Sequence, residues 1–253
     1  SLYDTLRLQG PKANGQDISW NDLDLQTGAL LKALAATNKE VLLLTPTLAS
    51  PTTDKIIKDF IAVYPNVKHV IYDTISSEAA LNAFEKHYGI RGLVDYDFSK
   101  ANTVVSIDAD FLGDWQGGGY AKGYAQAKTP TKHHGKAQMS WHMQFESNMS
   151  LTGANADHRI PCTPADQKQI LAYLYDILSG SKSSTNLPEA LKKATENAAL
   201  RLQSAGSEGV VVSGIDDETA QQVVLTINTL LKSKAFQPEQ PKLIRQGNAS
   251  AVN

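Results

Sequence analysis

Three short predicted strands constrain this chain more than any other feature. Glu40–Thr45 (EVLLLT) is a continuous apolar run, the pattern of a strand buried on both faces, and Val67–Tyr72 and Asn102–Ile107 read as a second and a third strand. Amphipathic segments separate them. Ser19-Trp-Asn-Asp22 has capping-box spacing and predicts a helix with Leu23, Leu30, Leu31 and Leu34 on its inner side. Ser50-Pro51 reads as an N-cap followed by proline at the first helical position, and Pro65 ends that helix. Ser76 or Ser77 opens a third helix, which Gly89 stops. Helix and strand therefore alternate over Leu23–Ile107, as in a parallel sheet with right-handed crossovers.

The same reading extends along the chain. It gives a short helix over Tyr120–Lys128, a strand over Ala137–Glu146 and a helix capped by Thr163-Pro-Ala-Asp166. Another helix follows over Pro188–Ser204, then a buried strand over Glu208–Ser213 and a helix starting at Asp216 or Asp217. The expectation is α/β: a three-layer sandwich with a mainly parallel, Rossmann-like sheet, built as a single domain over residues 1–234. Residues 235–253 are rich in Gln, Pro, Asn and Ser and are expected to form a loose tail or truncated linker.

Charge and thiol content remove several function classes. The chain carries 24 basic and 26 acidic residues, so nothing electrostatic recommends a nucleic-acid partner. No run of about 18 apolar residues is present, so no membrane span is expected. The opening SLYDTLRLQG has neither the basic start nor the apolar core of a secretory signal. The single cysteine, Cys162, excludes an internal disulfide, a cysteine-held iron–sulfur cluster and a multi-cysteine zinc site within this sequence.

Candidate chemistry concentrates in two stretches. Thr103–Gly119 (TVVSIDADFLGDWQGGG) runs from a buried strand into a loop with Asp108, Asp110 and three glycines. Phe145–Cys162 (FESNMSLTGANADHRIPC) is dense in polar residues and lacks periodicity. In open α/β sheets, ligands sit beyond the carboxyl ends of strands, which is where Asp108 and Asp110 fall. Two carboxylates at that spacing suit an acid/base pair, metal ligation or acceptance from a ribose or guanine edge; equally, they suit a cap and a solvated charge. Gly117-Gly118-Gly119 permits close backbone approach to a phosphate but matches neither dinucleotide nor Walker spacing, and reads better as a turn. None of the six histidines shows metal-site spacing. His158, within Asp157-His158-Arg159, is the one retained as a site candidate. Cys162, beside Pro161, reads as a small buried residue rather than a nucleophile.

At TVVSIDADFLGDW and FESNMSLTGANADHRIPCTPAD the sequence resembles the molybdopterin oxidoreductase superfamily, and more narrowly the large iron–sulfur subunit of alternative complex III, a quinol-oxidising respiratory complex. Val41–Asp73 and Asp97–Gly113 fit the same pattern, and the resemblance covers most of residues 1–235. It implies the fold of the central domains of formate dehydrogenase and DMSO reductase-type proteins, in one excised domain of a longer polypeptide. Asp108, Asp110, Phe111 and Gly113 would line a dinucleotide cradle. Glu146 would meet the guanosine part, with Ser147 where a proline is usual. Thr152, Gly153, Asn155, Asp157 and His158 would follow on the pterin side. A metal ligand would fall near Tyr72–Ser77, where only Asp73 and Ser76 could serve. The implied function is a domain of a respiratory electron-transfer subunit with a structural or assembly role and a vestigial cradle. No cofactor is expected in this chain, and iron–sulfur clusters only elsewhere in the parent protein. The alternative is a fragment of an active enzyme that binds molybdopterin guanine dinucleotide. The implied partners are other subunits of a membrane-bound respiratory complex, and the implied place is the periplasmic side of a bacterial inner membrane.

Overall fold

The computed structural model describes residues 2–37, 39–133, 136–182, 184–248 and 251, with the side chains of 131–133 and 136 left aside. The chain divides into two compact units, residues 1–72 and 73–251, where the sequence suggests one domain.

In the first unit, strands β1 (Lys12–Ala13) and β2 (Gln16–Asp17) form a hairpin. Asn14 and Gly15 both have positive φ there, as a tight Asn-Gly turn requires. Helix α1 (Trp20–Ala36) starts where the capping residue predicts, with Ser19 Oγ accepting from Asp22 N at 3.1 Å. Strand β3 (Val41–Thr45), helix α2 (Pro51–Val63) and parallel strand β4 (Val67–Ile71) complete a β–α–β turn. Two strands make too small a sheet to bury both faces. Leu42 and Leu44 are each 53% exposed, and α1 has no fully buried residue: of its expected inner stripe Leu23, Leu31 and Leu34 are half-buried, while Leu30 is exposed.

The second unit holds the main sheet. It begins with α3 (Glu78–Tyr88), closed by Gly89 at φ 73°, and β5 (Leu93–Tyr96). Next come β6 (Thr103–Ile107), α4 (Ala121–Lys128), the hairpin β7 (Thr131–His133) and β8 (Lys136–Gln138), and β9 (Trp141–Glu146). A one-turn helix α5 (Leu151–Ala154) leads to β10 (His158–Pro161). Helices α6 (Pro164–Ser179) and α7 (Glu189–Ala205) precede β11 (Gly209–Ser213), α8 (Glu218–Leu231) and β12 (Phe236–Lys242). Four strands pair in the order β10-β9-β6-β11, all parallel. The three strands predicted first thus fall in two sheets. Only the third, β6, joins the main one, and its neighbours β9 and β11 come from later in the chain.

Alternation along β6 and β11 feeds two apolar clusters. Val104, Val210 and Val212 pack with Phe84, Phe98, Phe111 and Tyr124. Val105, Ile107 and Val211 pack with Met143, Phe145, Ile170, Leu174 and Leu202. Both sides of these strands are therefore dry, as a parallel sheet demands. The molecule is α/β with a parallel four-stranded sheet. The expected loose tail is corrected: β12 pairs antiparallel with β5 from Phe236 to Lys242, with a register break between Gln237 and Lys242. Pro238 and Pro241 lack the N–H of a regular ladder, which accounts for the break. Residues 249, 250, 252 and 253 lie outside the described residues. Among the described residues no helix is long and apolar enough to cross a membrane.

Candidate functional site

The loops after β6 and β9 meet at the carboxyl end of the sheet, so the two polar stretches do come together. Asp108 follows β6 in a left-handed conformation, φ 59°. Its N–H donates to Phe145 O at 2.8 Å, and its carboxylate accepts from Gln167 Nε2 at 3.0 Å. The backbone is tight here, since a Cβ on Gly214 would overlap the Asp108 carbonyl. Partial burial, with a smaller contribution from the Glu146 charge, raises the Asp108 pKa.

Asp110 and Thr152 lock the two loops. Asp110 Oδ1 accepts from Thr152 N at 2.9 Å and from its hydroxyl at 2.7 Å, and Leu112 N donates to Thr152 Oγ1 at 2.9 Å. Gly113 closes this turn because a Cβ would overlap the Asp110 carboxylate. Phe111 faces inward and stacks on Phe98 with centroids 4.4 Å apart. It is a core residue, not a ligand contact.

Glu146 ends β9 and its side chain is 2% exposed. Oε1 accepts from Arg159 Nε at 2.5 Å and Ser150 N at 3.2 Å. Oε2 accepts from Ser150 Oγ at 2.6 Å and Gln144 Nε2 at 3.2 Å. Burial alone would raise its pKa, but the donors from Ser150, Arg159 and Gln144 outweigh it and hold the carboxyl below its ordinary value. Gly153 is required because a Cβ there would run into this carboxylate. Asn155 donates to Leu151 O at 2.8 Å and its carbonyl accepts from Tyr124 OH at 2.9 Å. Asp157 pairs with Lys128 and accepts from His142 N at 2.7 Å. Burial opposes its charge, yet Lys128 and the His142 amide bring its pKa down. His158 stands exposed on the edge strand β10, its ring 5.5 Å from that of Trp141. It joins none of the other candidates.

The sequence did not single out the most unusual part of the site. His142, Gln144 and Glu146 alternate along β9 on one face, and all three are essentially without solvent contact. His142 Nδ1 lies 3.0 Å from Tyr124 OH, and Nε2 lies 3.3 Å from Gln144 Oε1. Gln144 spends its amide protons on Glu146 Oε2 and Ala109 O. This fixes the orientation of the amide, because a flip would turn its oxygen toward two acceptors. The neutral imidazole then donates from Nε2 to Gln144 Oε1, and its Nδ1 shares the single Tyr124 hydroxyl proton with the Asn155 carbonyl. Burial, helped by the Lys128 charge, lowers its pKa to about 4. An alternating WHMQFE pattern ordinarily puts its polar side toward water. Here that side is roofed by Tyr124, Ser150 and Arg159, and only the alternation itself was legible.

The arrangement is satisfied from within. Each retained carboxylate has donors from the chain, and a carboxamide at the centre of the β9 file holds position without the acid–base capacity to relay a proton. Among the described residues no three of His, Cys, Asp and Glu converge as a metal site would need. Asp73 accepts from Gly247 N at 3.2 Å, a contact with a segment distant in the chain, and Ser76 Oγ accepts from Glu78 N at 2.9 Å in a local turn, so both candidate ligands are engaged by backbone amides. Burial and the carboxylates of Asp166, Asp108 and Glu146 push the Cys162 thiol up to about 11, which leaves it protonated at neutral pH. A cleft of about 320 Å³ is lined by Asp95, Asp97, Tyr120 and Lys122 and by none of the predicted residues.

No protein-family model matches the chain, and no curated protein matches it in sequence. Solved structures do. A chain of the formyltransferase/hydrolase complex from Methylorubrum extorquens, determined with methylofuran, is similar over 87% of this chain and 56% of its own, with TM-score 0.55 and 14% identity. Acetylene hydratase from Pelobacter acetylenicus is similar over 87% of this chain and 33% of its own, with TM-score 0.52 and 13% identity. This chain thus spans about half of the first and a third of the second. At such identities the likeness shows the fold alone. The resemblance to molybdopterin oxidoreductases and to the large subunit of alternative complex III is corrected by these findings: no family model supports it, and these neighbours supply no link to that complex. The segment SLTGANADHR, its most specific part, has a local explanation. Ser150 caps α5, Thr152 holds Asp110, Gly153 makes room for Glu146, and Arg159 neutralises it. The respiratory partners and periplasmic address rested on the resemblance alone.

Proposed function

We propose that this chain is a non-catalytic scaffold domain that works as part of a larger assembly. One observation carries the reading: the carboxyl-end loops, where α/β folds ordinarily hold a ligand, spend Asp110, Glu146, Thr152 and Asp157 on one another and on Arg159, Lys128 and His142. A hydrogen-bonded interior of this kind favours one conformation and leaves few groups for chemistry. The reading takes the sheet, with apolar clusters on both sides of its strands, as the middle of a three-layer α/β scaffold. The likeness to one chain of a multi-subunit formyltransferase/hydrolase complex supports a subunit role. Exposed apolar residues in the first unit, among them Trp20, Leu25, Leu42 and Leu44, are a further reason to look for a partner.

The test is gentle purification from the native host, followed by native mass spectrometry and analysis for pterin and molybdenum. A stoichiometric partner chain with neither cofactor is the expected result. A free monomer, or stoichiometric pterin or molybdenum, overturns the proposal.

A further inference from the structure

A smaller cleft, about 90 Å³, opens at the carboxyl end of β11 within the second unit. Ser77, Ala79 and Ala80 line it from the start of α3, Trp115 and Gln116 from the loop before the glycines, and Asp216 from the turn before α8. Three observations bear on what it takes. Ser77 is the N-cap of α3, yet its side chain makes no capping bond. Among the described residues, Ser76 Oγ satisfies only the N–H of Glu78, which leaves those of Ala79 and Ala80 without a cap. These amides carry the partial positive charge of the helix start. Gln116 is 9% exposed, and its Oε1 is buried without a donor. A buried acceptor of that kind is costly to leave unmet. Finally, Asp216 adds a carboxylate with solvent access, and no Lys or Arg lines the cleft among the described residues.

A bare anion drawn to the α3 amides would meet Asp216. A bare cation drawn to Asp216 would meet the positive end of α3. A molecule that carries both charges a few bonds apart satisfies each side. We propose that this cleft binds a small zwitterion, a free α-amino acid of the size of glycine, alanine or serine. Its carboxylate accepts from the Ala79 and Ala80 amides and the Ser77 hydroxyl. Its ammonium donates to Asp216 and to Gln116 Oε1, and so supplies the donor that Gln116 lacks. Trp115 walls the side-chain position and restricts it to a few atoms.

The experiment is isothermal titration of the full chain with glycine, L-alanine and L-serine, beside glycinamide, N-acetylglycine and inorganic phosphate. Glycinamide lacks the carboxylate, N-acetylglycine lacks the ammonium, and phosphate offers the anion alone. The expected result is a dissociation constant of about 1 mM for at least one amino acid and at least about tenfold weaker binding of the three controls. Asp216→Asn, an isosteric change at an exposed position, weakens binding by about tenfold with the circular dichroism spectrum unchanged. Gln116→Met weakens it too. The proposal is overturned by absence of heat with all three amino acids up to about 50 mM, by phosphate or N-acetylglycine binding as tightly as glycine, or by unchanged affinity in Asp216→Asn.

Discussion

His142 makes the stability of the second unit depend on pH in a window of its own. The imidazole is fully buried, and its pKa falls from an ordinary 6.5 to about 4. Between these values the unfolded chain binds a proton that the folded chain refuses. Folding stability therefore falls as pH falls, by at most about 1.4 kcal/mol per pH unit for one proton. Summed over the window, His142 removes about 3 kcal/mol, a large share of an ordinary domain's stability. Glu146 and Asp157 have lowered values, so they keep their contribution above the ordinary carboxylate range and lose it only in stronger acid. The two effects separate along the pH axis. The assay is urea unfolding followed by tryptophan fluorescence from pH 7.5 to pH 4.5, for the native chain and His142→Gln. Trp115 and Trp141 report on the second unit. The variant is weaker at neutral pH, where it lacks the contacts to Tyr124 and Gln144, but its stability changes less between pH 6.5 and pH 4.5. Parallel curves for the two proteins would refute the reasoning, because the proton would then belong to another group.

Further expectations concern the same interior. Arg159→Ala leaves the Glu146 carboxylate buried without its cation and costs about 3 kcal/mol or more in urea unfolding; adding Glu146→Gln recovers part of that loss, and a strictly additive double variant would count against the pairing. Gly214→Ala drives a Cβ into the Asp108 carbonyl and destabilises by about 2 kcal/mol or more, whereas Gly180→Ala, with open space around its Cβ but φ of 73°, costs about 1 kcal/mol by thermal melting. Thr152→Val removes the hydroxyl that joins Asp110 to Leu112 and speeds amide hydrogen exchange in residues 110–113, and unchanged exchange there would contradict the lock. Cys162, half-buried and protonated, reacts with a disulfide reagent more slowly at pH 7.5 than a free thiol, and more slowly in the native than in the urea-unfolded chain.

Local signals were legible wherever a few neighbouring residues suffice. The Ser19 and Thr163 caps, the proline after Ser50, the stops at Gly89 and Gly180 and the buried strands β6 and β11 all follow from interactions within about a turn of helix or one strand. Pairing was not legible, because EVLLLT and the run at Asn102–Ile107 look alike although β3 has one neighbour and β6 has two. β12 was hidden for a different reason: two prolines in seven residues read as a loose segment, yet a strand with one partner and a register break tolerates them. The site misled most. A polar loop that must satisfy a buried carboxylate draws on Ser, Thr, Gly, Asn, Asp and Arg, which are also the residues that bind a ligand. Composition cannot separate the two. What separates them is where the donors point, and that depends on Tyr124, Gln144 and Arg159 approaching from three different elements. In Phe145–Cys162 the donors point at Glu146 and Asp110; around Gln116 a buried acceptor has none. The stretch with the stronger sequence signal is therefore the closed one, and the plainer residues at Ser77, Gln116 and Asp216 are those left with bonds to make.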